Sequence, residues 1–146
     1  MRKLFLLAAT SLMLSSTAFA KTHEVQMLNK NPDDAKQKMV FLPAFLQVEP
    51  GDTVIFKSVD KGHNSVSMKG MIPEGATEWK SKMSKDFEIT LDVQGIYAYK
   101  CLPHYGMGMV GVIQVGDDTS NLDAVKTAKA PKLARKAIDA ALEGVE

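Results

Sequence analysis

The sequence predicts an all-β fold, a sandwich of seven to eight short strands followed by two C-terminal helices. Three observations carry that expectation. Short segments that alternate between apolar and polar residues are separated by clusters of Pro, Gly, Asn and Asp from Glu24 onward. No helical crossover lies between them, which favours a sandwich over an α/β sheet. After Gly116 the apolar period lengthens from two to that of a helix.

In chain order, 24–29 alternates, with Val25, Met27 and Asn29 on one face, and Lys30-Asn31-Pro32-Asp33-Asp34 turns the chain. Residues 39–41 form a second short strand, Pro43 interrupts, and 44–48 resumes. Glu49-Pro50-Gly51-Asp52 is a strong turn, because proline presets one φ and glycine accepts a positive one. Residues 53–59 follow, rich in β-branched side chains, and Asp60-Lys61-Gly62 closes them. Residues 69–82 read as irregular. Segment 87–91 alternates again, 96–100 reads as a strand running into Cys101, and 110–115 is a β-rich run that closes the sheet region. In the tail, Ser120 is expected to cap a helix, with Asp123 in the position of the usual Glu or Gln and Leu122 and Val125 facing inward. Pro131 is expected at the first position of a second helix, with Leu133, Ala134, Ala137, Ile138, Ala141 and Leu142 on its inner face.

Residues 1–20 stand apart. Arg2-Lys3, an apolar run from Leu4 to Leu14, and Ala18-Phe19-Ala20 form the three parts of a secretory signal peptide, with cleavage expected after Ala20. The apolar run is too short to span a membrane, and no later stretch is long enough, so no membrane insertion of the mature chain is expected. Residues 21–146 are expected to make one domain that includes the helices at 120–142. Without Arg2 and Lys3, the 18 basic residues no longer outnumber the 17 acidic ones, and the balance becomes about −1. That balance gives no reason to expect nucleic acid as a partner. Export leads to an oxidising compartment where cysteines pair, yet Cys101 is alone. It must be buried, bridged to another chain or occupied chemically.

Occupation is the informative option, because of the stretch Cys101-Leu102-Pro103-His104-Tyr105-Gly106-Met107-Gly108-Met109. Thiolate, imidazole and thioether are soft ligands, and with a second imidazole they form the donor set of copper electron-transfer sites. Cys101 and His104 are near enough to bind one ion from a single loop, and Gly106 and Gly108 let the backbone return Met109 toward it. Met107 is the competing thioether; Met109 is preferred because it begins the last strand. His63, after the Asp60-Lys61-Gly62 turn, would join them if one end of the sandwich gathers both loops. Taken alone, His63 would be read as an ordinary surface histidine. Zinc suits the set less well, since thioethers are poor zinc ligands. A cysteine-nucleophile enzyme would need an open substrate site and a base, of which the loop gives no sign.

These residues, with Gly62-His63-Asn64, resemble the cupredoxins, the type 1 blue copper proteins. Further likeness lies in Met27-Leu28-Asn29-Lys30, Pro50-Gly51-Asp52-Thr53 and Met71-Ile72-Pro73-Glu74-Gly75. Plastocyanins share the Cys-x2-His-x4-Met spacing but typically stop soon after the last strand. The tail from Asn121 to Leu142 is similar to that of the branch carrying a helical extension. Leu102 stands where that branch more often has Thr, and Leu42 where it has an acidic residue.

The resemblance implies a Greek-key β-sandwich in which His63, Cys101, His104 and Met109 bind one copper ion cycling between Cu(II) and Cu(I). Asn64 would tie the two loops together and hydrogen-bond near the sulfur. Pro103, which has no N–H, cannot donate to the thiolate. His104 on the exposed loop would be the electron port, inside an apolar patch of Met39, Pro103 and Met107. Lysines near the site in sequence, Lys61 and Lys100 among them, would steer acidic partners. The function implied is soluble periplasmic electron transport without catalysis, carried out by a monomer. Copper nitrite reductase of denitrification is the partner expected. A periplasmic copper carrier or storage protein is the alternative.

Overall fold

The computed structural model describes residues 19–146. The signal-peptide reading therefore lies, up to residue 18, outside the described residues. Among the described residues, eight strands form two four-stranded sheets. β1 (Thr22–Lys30), β2 (Lys38–Leu42), β4 (Asp52–Lys57) and β6 (Phe87–Leu91) make one, in the order β2-β1-β4-β6. β3 (Phe45–Val48), β5 (Val66–Ser67), β7 (Gly95–Lys100) and β8 (Val110–Val115) make the other, in the order β3-β8-β7-β5. Most neighbours are antiparallel, but β1 runs parallel to β4 and β3 parallel to β8. The chain thus crosses between sheets and does not simply meander.

Alternation does what its period requires. In β4, Asp52, Val54 and Phe56 are buried while Thr53, Ile55 and Lys57 are only partly covered. In β1, Val25 and Met27 point into the core between the sheets. That core is aromatic: Phe56 lies edge-on to Phe41 and Tyr99, with ring centroids 6.1 and 5.0 Å away. Edge-on pairs place the positive rim of one ring against the negative face of the next.

β8 departs from the alternating pattern, with all six residues buried. Two elements explain it. α1 (Leu122–Thr127) and α2 (Lys132–Leu142) lie against the outer face of its sheet, so both faces of β8 are covered. Ile113 and Val115 belong to the inter-sheet core, whereas Val110 and Val112 pack with Ile138 and Ala134 beneath the helices. Burying Ile138 alone contributes about 1.5–3 kcal/mol.

The helix starts differ from expectation. Ser120 does not cap α1; Asn121 holds that position, and its side chain reaches β7 instead. Its Oδ1 accepts from Ile96 N at 2.9 Å and its Nδ2 donates to Ile96 O at 2.8 Å. A bond pair to a buried strand edge outcompetes the local cap. Pro131 is the residue before α2, not its first. Leu133 is 54 % exposed, because it faces a groove rather than the sheet. Arg135 Nη1 joins the helices, donating to Val125 O at 2.8 Å.

At the start of β4, Asp52 is buried; its Oδ1 accepts from Lys21 N (2.7 Å) and its Oδ2 from Glu49 N (3.0 Å), with His23 Nε2 2.7 Å from that same Oδ2. Burial pushes its pKa up, but these bonds outweigh that effect and bring it from 3.8 down to about 2. A depressed carboxyl stabilises the fold above its unfolded pKa, and the benefit disappears as pH falls through the folded value. Stability is therefore expected to drop by roughly 2 kcal/mol between about pH 4 and pH 2 on this account. Asp52→Asn should flatten that part of a urea-midpoint profile; an unchanged slope would remove Asp52 from the explanation.

Candidate metal centre

β4 ends at Lys57, and residues 58–65 run across one end of the sandwich carrying His63. β7 ends at Lys100, and the loop from Cys101 to Met109 returns the chain to β8 at the same end. The pairing of Lys100 with Val110 closes that loop, and Cys101 N donates to Met109 O at 3.0 Å. Inside it, Tyr105–Met107 forms a 3-10 turn that Gly108 terminates at φ 91°, a left-handed conformation suited to glycine. Gly106 is not among the residues of positive φ, so Gly108 alone makes the reversal expected of both.

Folding brings the predicted residues together. Cys101 Sγ lies 3.6 Å from His63 Nδ1 and 3.4 Å from His104 Nδ1. The three donor atoms all fall within 4.8 Å of one another. Cys101, His63 and Met109 are each fully buried, and His104 is partly exposed. Of the two candidate thioethers, Met109 is sealed in the core beside Cys101, whereas Met107 is 53 % exposed.

The supporting bonds orient these groups. Asn29 Oδ1 accepts from His63 Nε2 at 2.9 Å, which leaves Nδ1 with a free lone pair facing the sulfur. Asn29 N in turn donates to Asp60 Oδ2 at 2.7 Å, fastening β1 to the turn before His63. In the sequence Asn29 is one more residue on a strand face, with no mark of this role. The available signal was a polar residue continuing the Val25–Met27 face. Ser84 N donates to His63 O at 2.8 Å and its hydroxyl accepts from Gly62 N at 2.9 Å, a second brace not anticipated. Asn64 does link the loops: its Oδ1 accepts from Leu102 N at 2.9 Å and its Nδ2 donates to Ser81 O at 3.3 Å.

Electrostatics follow from burial. Burial holds the His63 imidazole below its usual pKa, and repulsion from His104 acts in the same direction, against attraction from Asp60. Both effects favour the neutral ring that a metal needs. Burial also raises the Cys101 pKa, opposed by hydrogen bonding from the backbone N–H groups of Asn64 and His104. Those N–H groups are positioned for a thiolate. Two imidazoles with inward Nδ1, one thiol and a buried thioether fit a soft metal ion, and copper in particular.

Around this centre, Pro103 and Leu102 are exposed and Met39 is half-buried. Lys61 is exposed, while Lys100 extends over the Tyr105 ring with Nζ 4.4 Å from its centroid.

Asn64→Leu tests the bridge. Leu102 N would lose its acceptor at a cost of about 1–3 kcal/mol. The expected result is a lower urea midpoint together with a shifted visible spectrum of the copper-loaded protein. An unaltered spectrum would detach Asn64 from the site.

A two-sheet sandwich with this donor set at one end defines a cupredoxin. Residues 26–116 match the family model described as copper binding proteins, plastocyanin/azurin family. Pseudoazurin of Paracoccus pantotrophus is 51 % identical over 138 residues, 94 % of this chain and 93 % of that one. The crystal structure of pseudoazurin from Methylobacterium extorquens AM1 superposes with a TM-score of 0.81 at 39 % identity, covering 86 % of this chain and 99 % of the other. Native pseudoazurin from Hyphomicrobium denitrificans gives 0.80 at 43 %, covering 86 % and 98 %. The chain belongs to the plastocyanin/azurin family of blue copper electron-transfer proteins and, within it, to the pseudoazurins.

Proposed function

We propose that this chain is a periplasmic carrier of single electrons, with one copper ion held by His63, Cys101, His104 and Met109. The observation that carries the reading is the convergence of Cys101 Sγ with the inward Nδ1 atoms of both histidines, 3.6 and 3.4 Å away. Copper bound there supplies a one-electron Cu(II)/Cu(I) couple. The chain's own residues do the rest. Asn29, Ser84 and Asn64 fix the ligand-bearing loops, so the ligands need move little between the two charge states. Burial of Cys101 and Met109 keeps water from the sulfurs. His104, the partly exposed member, is the port through which an electron enters or leaves.

Acidic-surfaced redox proteins are the partners proposed, copper nitrite reductase among them, docking over Met39, Pro103 and Met107 with Lys61 and Lys100 nearby. Export rests on the leader at residues 1–20; among the described residues no helix is long and apolar enough to cross a membrane. A copper carrier would need ligands that exchange freely, and the braced, buried Cys101 and His63 oppose that. The test is to add Cu(II) to the purified chain beginning at Lys21. An intense blue or green charge-transfer band, bleached reversibly by mild reductant, is expected. A colourless protein, or one that yields its copper to a weak chelator, would overturn the proposal.

A further inference from the structure

The chain enters the fold at one residue. Residues 19 and 20 are exposed and lie outside any strand, with Phe19 86 % exposed. Lys21 is held at both ends of its backbone: its N donates to Asp52 Oδ1 at 2.7 Å and its O accepts from Thr53 N at 2.9 Å. β1 begins at the next residue. The first anchored backbone nitrogen is thus the atom that cleavage after Ala20 would turn from an amide into an amine.

Asp52 is an unusual partner for that nitrogen. It is 2 % exposed, and carboxylates buried to that degree are normally paired with a cation. Among the described residues no lysine or arginine side chain pairs with it; its ion-pair neighbour is His23, which is charged only when protonated. The Asp52 pKa of about 2, reached against the opposing effect of burial, keeps the carboxyl anionic throughout the neutral and alkaline range. A buried anion with two backbone N–H donors and one histidine, but no permanent cation, lacks one positive charge.

We infer that Asp52 is the binding site for the α-ammonium group that leader removal creates at Lys21, so that processing itself adds an ion pair to the fold. The inference rests on the export reading and extends it. The cut falls at the residue where the fold begins, and it replaces a neutral donor by a charged one at the same atom. Other ionisable groups at this end are His23 on β1, Glu49 in the turn before β4, and Asp92, next to the Leu91 that pairs with Asp52. The carboxylates of Glu49 and Asp92 also favour a cation, and replacing Asp52 alone separates their effect. An amine whose folded pKa is raised stabilises the fold below its unfolded value, about 7.7–8.0, and the benefit is lost as pH rises through the folded value. β4 carries the chain six residues, about 20 Å, from Asp52 toward the segment bearing His63, so the copper centre should not sense the change.

The test uses four copper-loaded proteins: chains beginning at Lys21 or at Ala18, each with Asp52 or with Asp52→Asn. In urea at pH 7 the chain beginning at Lys21 should have a folding equilibrium constant about tenfold larger than the chain beginning at Ala18, equivalent to about one pKa unit or 1.4 kcal/mol. The advantage should vanish above about pH 10 and be absent at every pH in the Asp52→Asn pair, with identical visible spectra in all four. A second measurement needs no variant. In the Cu(I) form the ¹⁵N–¹H shift of Thr22 follows ionisation of the Lys21 amine, which should titrate about one unit above 7.7–8.0. Equal advantages in the Asp52 and Asp52→Asn pairs, or an amine that titrates at its usual value, would overturn the inference. The intact mass of the exported protein separates this from the reading beneath it. A chain beginning at another residue overturns the processing reading along with the inference; a chain beginning at Lys21 with an ordinary amine overturns the inference alone.

Discussion

Replacing Cys101 by Ser is expected to abolish the intense visible band of the copper-loaded protein while leaving the chain folded. The band requires a thiolate bonded to Cu(II), and a serine hydroxyl is a harder, far less acidic donor. His63, His104 and Met109 remain, so residual copper would be weakly coloured and easily removed. Sulfur sits at a fully buried position, and the variant hydroxyl there still faces the Asn64 and His104 N–H groups. Burying a polar oxygen with those partners costs at most about 1–3 kcal/mol, too little to unfold a domain of this size. Circular dichroism should therefore match wild type when the spectrum does not. Persistence of the intense band would refute Cys101 as the ligand. Because burial raises the thiol pKa, copper must displace a proton to bind. Uptake should accordingly weaken as pH falls.

Gly111→Ala is expected to be among the most damaging single-methyl additions in the sandwich. Gly111 pairs with Tyr99 across β7 and β8, and the Tyr99 ring lies directly over it. A Cβ there would stand 2.3 Å from Tyr99 Oη and 2.4 Å from Cζ. The ring cannot move aside, since it is fully buried, with its centroid 4.8 Å from Phe41 and 5.0 Å from Phe56. Overpacking of this kind costs about 1–3 kcal/mol, and the confinement of the ring places this case near the upper figure. For a domain of this size that lowers Tm by roughly 10 °C. Tyr99 stands two residues before Cys101, and Gly111 two after Met109, so a splayed pair would also loosen the ligand loop. A shifted charge-transfer band should accompany the lower Tm. A Tm within 2 or 3 °C of wild type (roughly 1 kcal/mol or less) would show that the ring has room the packing does not suggest.

Some of this molecule was legible before any coordinate. Period-two alternation in 87–91 and the β-rich run at 110–115 mark strands at their observed limits, because 87–91 has one covered and one open face and 110–115 is buried throughout. Segment 53–59 is longer than the strand it predicts, β4, which ends at Lys57. Ser58 and Val59 leave β4, since Ser58 N donates to Asp86 Oδ1 and Val59 N folds back onto Lys57 O. Those bonds join residues that no local pattern links. The caps failed for the same reason: Ser120 is a good local cap, but Asn121 has a better partner on Ile96, 25 residues away. Leu133 matches the helical period yet faces the groove, where it is exposed.

The sequence by itself supplied the proposed donor types. Cys101, His104 and Met109 lie within nine residues of one loop, and soft-ligand chemistry narrows the metal whatever the fold. The tertiary structure alone decided the rest. It carried His63, 38 residues before Cys101, to 3.6 Å from the sulfur. It chose Met109 for the interior over Met107, turned both Nδ1 atoms inward, and recruited Asn29 and Ser84 as braces. The physical reason is one of range. Ligand identity is a property of the side chain, whereas orientation, burial and surface relief arise from contacts between strands and helices distant in the chain.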